Sequence, residues 1–305
     1  MCRWLAYRGS PVVAEMLVTL PEHSLIDQSM ASVHLTDPYY PKSAPKRKHD
    51  YPTQGEGFGL GWVGKDGKVG RFRSTAPAWN SINLRSIASQ VESGTILAHV
   101  RADPGGTTSE QNCHPFVHGK WMFQHNGTVG GFRKLKRELT FEVDPDLYPC
   151  ILGNTDTEVL FYLALTYGLE DDPEGALRKL VDRVERARKE NGITAAFRAT
   201  IAASDGNTLW VMRTSSTENV DGSNHPSPSL FYTTGPRTLR MEDGSEQTLP
   251  DDAALVTSEP LSQAAGDVAC QPVPDHTIAR FTPGEEPVFM PLTREVVARE
   301  VVETV

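Results

Sequence analysis

Apolar and polar positions alternate with two different periods along the chain, and the change of period marks its elements. Residues 2–8 read as a short buried strand with Cys2 at its start. Residues 10–34 are mixed, with apolar pairs Val12-Val13, Met16-Leu17 and Leu25-Ile26 interrupted by Pro21. Four prolines, Pro38, Pro41, Pro45 and Pro52, predict a long surface loop over 36–56, and long loops in compact domains are often functional. Residues 57–63 predict a strand with glycines on one face and Phe58, Leu60 and Trp62 on the other, a pattern suited to close packing. A hairpin turn at 65–68 leads to a strand at 69–74, and Ile82, Leu84, Ile87 and Val91 predict a helix at about 80–92. Residues 95–102 read as a central strand ending in Arg101, and Trp121 to Gln124 as another running into His125-Asn126-Gly127.

The period then becomes helical. Thr155-Asp156-Thr157-Glu158 has the capping-box pattern, followed by Val159, Leu160, Leu163 and Tyr167 at helical spacing. A second helix spans about 173–190, with Leu177, Leu180, Val181 and Val184 inward and Asn191-Gly192 as its stop. Strands follow at 197–203, 207–213, 230–234, 253–257 and 275–281, with a polar loop at 215–229. Strands, two helices, then more strands do not give the regular alternation of a parallel α/β fold. The order predicts an α+β chain of two antiparallel sheets with helices outside.

Composition narrows the function. The 305 residues are 38% hydrophobic and 23% charged, enough for one large globular domain or two small ones. A net charge of −9 argues against a general nucleic-acid surface, and Lys46-Arg47-Lys48 reads as a solvated loop. No apolar stretch reaches the ~20 residues that span a bilayer, and neither end carries a targeting or lipidation pattern. Cys2, Cys113, Cys150 and Cys270 are too scattered for a disulfide framework, so a reducing cytoplasmic location is expected. Gly59 to Gly64 formally matches a dinucleotide fingerprint, but a hairpin rather than a helix follows it. Cys113, His114 and His118 make a poor zinc pattern without a second cluster, so no metal and no cofactor is expected.

Four features could carry chemistry. Cys2 becomes the first residue once Met1 is removed, which places an α-amine base and a thiol on one residue. Reference pKa values of ~7.7–8.0 and ~8.5 put both groups near working pH. Arg101 offers a guanidinium fork to a carboxylate. Asn126 and Gly127 place an amide and a backbone N–H where both could meet one oxyanion. Asp156 could bind an ammonium group. Each also has a plainer role: an inert small apolar residue, a structural ion pair, a hairpin turn and a first-turn acid on a helix dipole.

Taken together, these residues resemble the class II glutamine amidotransferases of the N-terminal-nucleophile hydrolase superfamily. The matching stretches are Met1-Cys2-Arg3, Gly57 to Trp62, His99-Val100-Arg101-Ala102, Asn112 to Phe116, His125-Asn126-Gly127, Thr155 to Glu158 and Ser258-Glu259-Pro260-Leu261. The resemblance covers roughly residues 1–275, leaving about 30 residues as a C-terminal extension, 276–305, packed on the same domain. It implies a four-layer αββα sandwich. It also implies that Cys2 attacks a γ-glutamyl carbonyl, Asn126 and Gly127 form the oxyanion hole, Arg101 holds the α-carboxylate and Asp156 the α-ammonium. The match is closest to small stand-alone members, such as the γ-glutamyl hydrolase of ergothioneine synthesis and the glutaminase-like subunit of a glutathione-degrading complex. A small γ-glutamyl substrate is therefore expected, with no following synthase domain. A separate ammonia-using subunit and a homo-oligomer stay open. The competing reading is an inactive binding or scaffold protein on the same fold, which retention of Met1 would favour.

Overall fold

The alternation along the first strand sets the architecture. In the computed structural model, which describes residues 2–30, 53–102, 107–216, 227–262 and 270–292, strand β1 (Arg3–Val13) sends Trp4 and Ala6 to one side and Leu5 and Tyr7 to the other. Both sides are buried, so β1 is central and needs partners on each edge. It pairs with β4 (Glu92–Val100) and β12 (Ala254–Thr257), both antiparallel. The sheet grows through β2 (Phe58–Val63) and β3 (Val69–Ser74) on one flank, and β9 (Phe231–Thr234) and β13 (Gln271–Pro272) on the other. Seven strands result, in the order β13-β9-β12-β1-β4-β2-β3.

A second, six-stranded sheet stacks on the first. It contains β5 (Phe116–His118), β6 (Trp121–Thr128), β7 (Arg198–Ser204), β8 (Leu209–Ser215), β14 (Thr277–Phe281) and β15 (Val288–Pro291), in the order β15-β14-β8-β7-β6-β5. Residues 277–291 thus supply two strands of this sheet. A small hairpin of β10 (Thr238–Arg240) and β11 (Glu246–Thr248) stands apart. Between the sheets lie Trp4, Leu97, Met122, Val211, Val256 and Phe281.

Helices cover the outer faces. The first sheet packs against α1 (Glu15–Val18), α2 (Leu25–Met30) and α3 (Ile82–Ala88) through Leu17, Ile26 and Leu84. The second packs against α4 (Phe132–Phe141), α5 (Asp156–Thr166) and α6 (Pro173–Glu190) through Leu135, Leu160 and Leu180. The four layers are the expected αββα sandwich of antiparallel sheets.

Some elements differ from expectation. The predicted helix at 80–92 is only Ile82–Ala88, because β4 already begins at Glu92, and Ile82 is 83% exposed rather than inward. Asn126-Gly127 is no hairpin turn, since β6 continues through it, with Asn126 opposite Thr200 and Gly127 opposite Ala199 of β7. Most of the predicted 36–56 loop and of the 215–229 loop lies outside the described residues.

Candidate active site

The register carries the chemical residues to one end of the sandwich. Arg3 pairs with Val100, so Cys2 at the head of β1 lies beside Arg101 and Ala102 at the tail of β4. The Ala102 N–H donates to Cys2 Sγ at 3.3 Å. Behind the thiol, the buried Arg3 guanidinium donates to the Cys2 carbonyl at 2.9 Å and to Glu259 Oε1 at 2.5 Å, and His23 Nε2 meets Glu259 Oε2 at 2.8 Å. Burial works to raise the Glu259 carboxyl. The His23 hydrogen bond, with the charge and hydrogen bond of Arg3, outweighs it and holds the pKa below the usual value. Ser258 clasps the same strand: its Oγ accepts from Trp4 N at 3.0 Å and its own N–H donates to Trp4 O at 2.9 Å.

Arg101 is 2% exposed, and its Nη1 donates to the carbonyls of Glu56 and Thr107, each at 3.4 Å. Gly57 helps set its place, accepting from the Arg101 N–H at 2.8 Å. Thr107 belongs to a polar network: Asn112 Nδ2 donates to Thr107 O at 2.8 Å and to Asn154 Oδ1 at 2.9 Å, and Asn154 Nδ2 donates to Thr107 Oγ1 at 3.2 Å.

From the second sheet, β6 delivers Asn126 and Gly127. Gly127 is required where it stands, because a Cβ there would lie 1.9 Å from Arg198 O. The N-terminus of α5 delivers Asp156. Thr155 caps this helix, its Oγ1 accepting from Glu158 N at 3.2 Å. The reciprocal half of the capping box is not formed, because the Glu158 carboxylate accepts instead from Leu152 N at 3.0 Å and Gly153 N at 2.7 Å. Asp156 Oδ2 accepts from Val129 N at 2.8 Å and Oδ1 from Thr157 N at 2.7 Å, which ties the helix start to the strand end.

These elements enclose a cavity of ≈ 560 Å³, within the ~300–1,000 Å³ range of small-molecule sites. Cys2, Arg101, Gly127 and Asp156 line it, with Thr107, His114, Asn154, Phe132 and Arg133. Asn126, buried next to Gly127 in β6, is not among the residues that line it. Among the described residues no group of three or more His, Cys, Asp or Glu gathers around a point that could hold a metal ion. Cys113 Sγ turns to the Ser74 and Ser109 carbonyls at 3.4 and 3.5 Å, while His118 stands edge-on to Tyr162.

Three histidines back the cavity. His99 and His114 stack with ring centroids 4.0 Å apart, and His99 Nε2 meets the His125 carbonyl at 3.2 Å. Burial depresses all three: His99 to about 3, His114 well below its ordinary value, and His125 downward against the raising charge of Asp156. Sequence reasoning assigned no role to these histidines, to His23 or to Glu259. The nearest signal was their place inside the matched motifs, which held for all but His23. Phe132 and Arg133 stand on α4, a helix not anticipated at all.

Residues 31–290 match the model of the class-II glutamine amidotransferases, a range that starts after Cys2. The chain belongs to the class-II glutamine amidotransferases. A probable glutamine amidotransferase of Saccharomyces cerevisiae is 32% identical over 298 residues, covering 89% of this chain and 80% of that protein. The gamma-glutamyl-hercynylcysteine sulfoxide hydrolase of Mycolicibacterium smegmatis is 32% identical over 130 residues, covering 42% of this chain and 52% of that enzyme. Among solved structures, a glutamine aminotransferase class-II domain protein from Silicibacter pomeroyi superposes with a TM-score of 0.63 at 27% identity, covering 95% of this chain and 99% of that one. Membership brings amidotransferase and hydrolase chemistry at the level of the class. No helix among the described residues is long and apolar enough to cross a membrane.

Proposed function

We propose that this class-II amidotransferase hydrolyses a γ-glutamyl amide bond through Cys2. The observation that carries the reading is the convergence of a thiol, a guanidinium, a strand-end glycine and a carboxylate on one cavity. Removal of Met1 leaves the Cys2 α-amine as base. The thiolate attacks the γ-carbonyl, the amide C–N bond breaks, and the leaving amine takes the proton. Asn126 and Gly127 stabilise the oxyanion, while Arg101 and Asp156 hold the α-carboxylate and α-ammonium and fix the scissile bond over the thiol. Water then cleaves the γ-glutamyl thioester and releases glutamate. The reaction uses no metal or cofactor. The working unit takes in residues 277–291, whose two strands belong to the second sheet, and acts in the cytoplasm.

Arg101 and Asp156 read only the glutamyl end, so the test is a panel spanning glutamine, γ-glutamyl peptides and γ-glutamyl thiol conjugates. Purified chain of known intact mass is assayed for glutamate release, with Cys2→Ala as control. The expected result is release from at least one compound, loss in the control, and a mass short by one methionine. No release from any compound overturns the reading, and a retained methionine removes its base.

A further inference from the structure

We infer that His125 and Thr157 are positioning residues that keep the Asp156 carboxylate open to a cationic amine, by drawing the single hydroxyl proton of Thr157 away from it. The inference rests on the reading of Asp156 as the partner of the substrate α-ammonium.

Hydrogen-bond polarity around the His125 ring decides where that proton goes. The ring is buried in β6 between two partners, with Nε2 3.2 Å from Arg198 O and Nδ1 3.0 Å from Thr157 Oγ1. A carbonyl oxygen only accepts, so Nε2 carries hydrogen. Burial keeps the ring neutral, and a neutral imidazole has one N–H. Nδ1 is therefore an acceptor, and Thr157 donates to it.

A hydroxyl has one proton to give. The second acceptor within reach of Thr157 Oγ1 is Asp156 Oδ1, at 3.4 Å. The shorter contact to His125 takes the proton, and the Thr157 oxygen turns its lone pairs towards the carboxylate. Asp156 then receives two backbone N–H groups, from Val129 and Thr157, at 2.8 and 2.7 Å. A carboxylate has about four acceptor sites, so the rest of its capacity serves a ligand in the cavity it lines. Were the proton turned to Oδ1, one acceptor site would be consumed and the charge offered to an ammonium would fall. The His99 contact to the His125 carbonyl and the burial of Thr157 hold this arrangement in place.

The readout is the preference for an α-amine. Full-length chain carrying Cys2→Ala, which cannot turn over, is titrated by NMR with L-glutamine and with glutaramate, the same amide without the α-amine. His125→Gln keeps a donor for Arg198 O but offers Thr157 no acceptor; it is expected to cut the preference for glutamine about tenfold. His125→Met serves the same arm if His125→Gln does not fold. His125→Asn, whose Oδ1 can stand in for Nδ1, and Thr157→Val, which has no proton to misplace, keep the preference within about threefold. The double variant His125→Gln/Thr157→Val restores it. An intact preference in His125→Gln, or no restoration in the double variant, overturns the inference. Asp156→Asn separates the two failures: if it leaves the preference unchanged, the ammonium reading of Asp156 falls and takes this inference with it.

Discussion

In the proposed mechanism, Asn126 and Gly127 divide one task between a side chain and a backbone. Gly127 lines the cavity, nothing larger fits beside Arg198 O, and Asn126 precedes it in β6. An oxyanion donor acts mainly in the transition state, so Asn126→Ala is expected to lower kcat by about 10²–10³ with KM little changed. Steady-state kinetics on the best substrate of the panel checks this; a change confined to KM would remove Asn126 from the oxyanion hole. Arg3 plays a quieter part. Its guanidinium holds the Cys2 carbonyl and Glu259, so Cys2 is placed by a charge pair it does not touch through its thiol.

At the level of elements, β2 shows how a sequence pattern becomes a constraint on the site. Its glycine face rests on the stretch that carries Cys113 and His114: a Cβ on Gly59 would lie 2.0 Å from His114 O, and one on Gly61 2.6 Å from Pro115 Cγ. Gly59→Ala must push β2 away from backbone, and overpacking of this kind costs typically ~1–3 kcal/mol. A drop in Tm together with weaker substrate binding is expected, since Glu56 and Gly57, just before β2, hold Arg101. Unchanged melting would show that the two layers are not locked together.

The same strand was legible in the sequence because glycines alternating with large apolar residues suit a closely packed strand and little else. Helix α6 was legible for a similar reason, with Leu177, Leu180, Val181 and Val184 all buried. Helix α4 was not, although Phe132, Leu135 and Leu139 keep helical spacing, because the basic residues between them dominate the segment. Asn126-Gly127 carried two local readings, and only pairing with β7 decided between turn and strand. The Glu259 contacts to Arg3 and His23 join residues 256 and 236 positions apart, and no local pattern announces such a partner.

Across the whole molecule, the three buried histidines make acid the weak side. His99, His114 and His125 all lie below the ordinary value of 6.5 in the folded chain, so unfolding below that value takes up protons. Their contribution is fully present above about pH 6.5 and is lost as pH falls towards the folded values. Each proton taken up steepens the loss by ~1.4 kcal/mol per pH unit. Thermal melting is expected to drop between pH 7 and pH 5, and His114→Phe to flatten that slope. A melting temperature constant over this interval would contradict the neutral, buried histidines.

The position of β1 has a consequence in time. An early strand, β1 is the centre of a sheet whose one flank, β12, β9 and β13, comes late: Leu5 pairs with Thr257. At ~5–20 residues per second, synthesis of the chain lasts roughly 15–60 s, and β1 lacks its β12 edge for most of it. If Met1 is removed as proposed, that interval is when the first residues are open to a peptidase. Once β12 docks, the same residues are clasped by Ser258 and Glu259. On that proposal, removal of Met1 and the docking of β12 share one clock, and peptide added ahead of Cys2 is expected to abolish glutamate release.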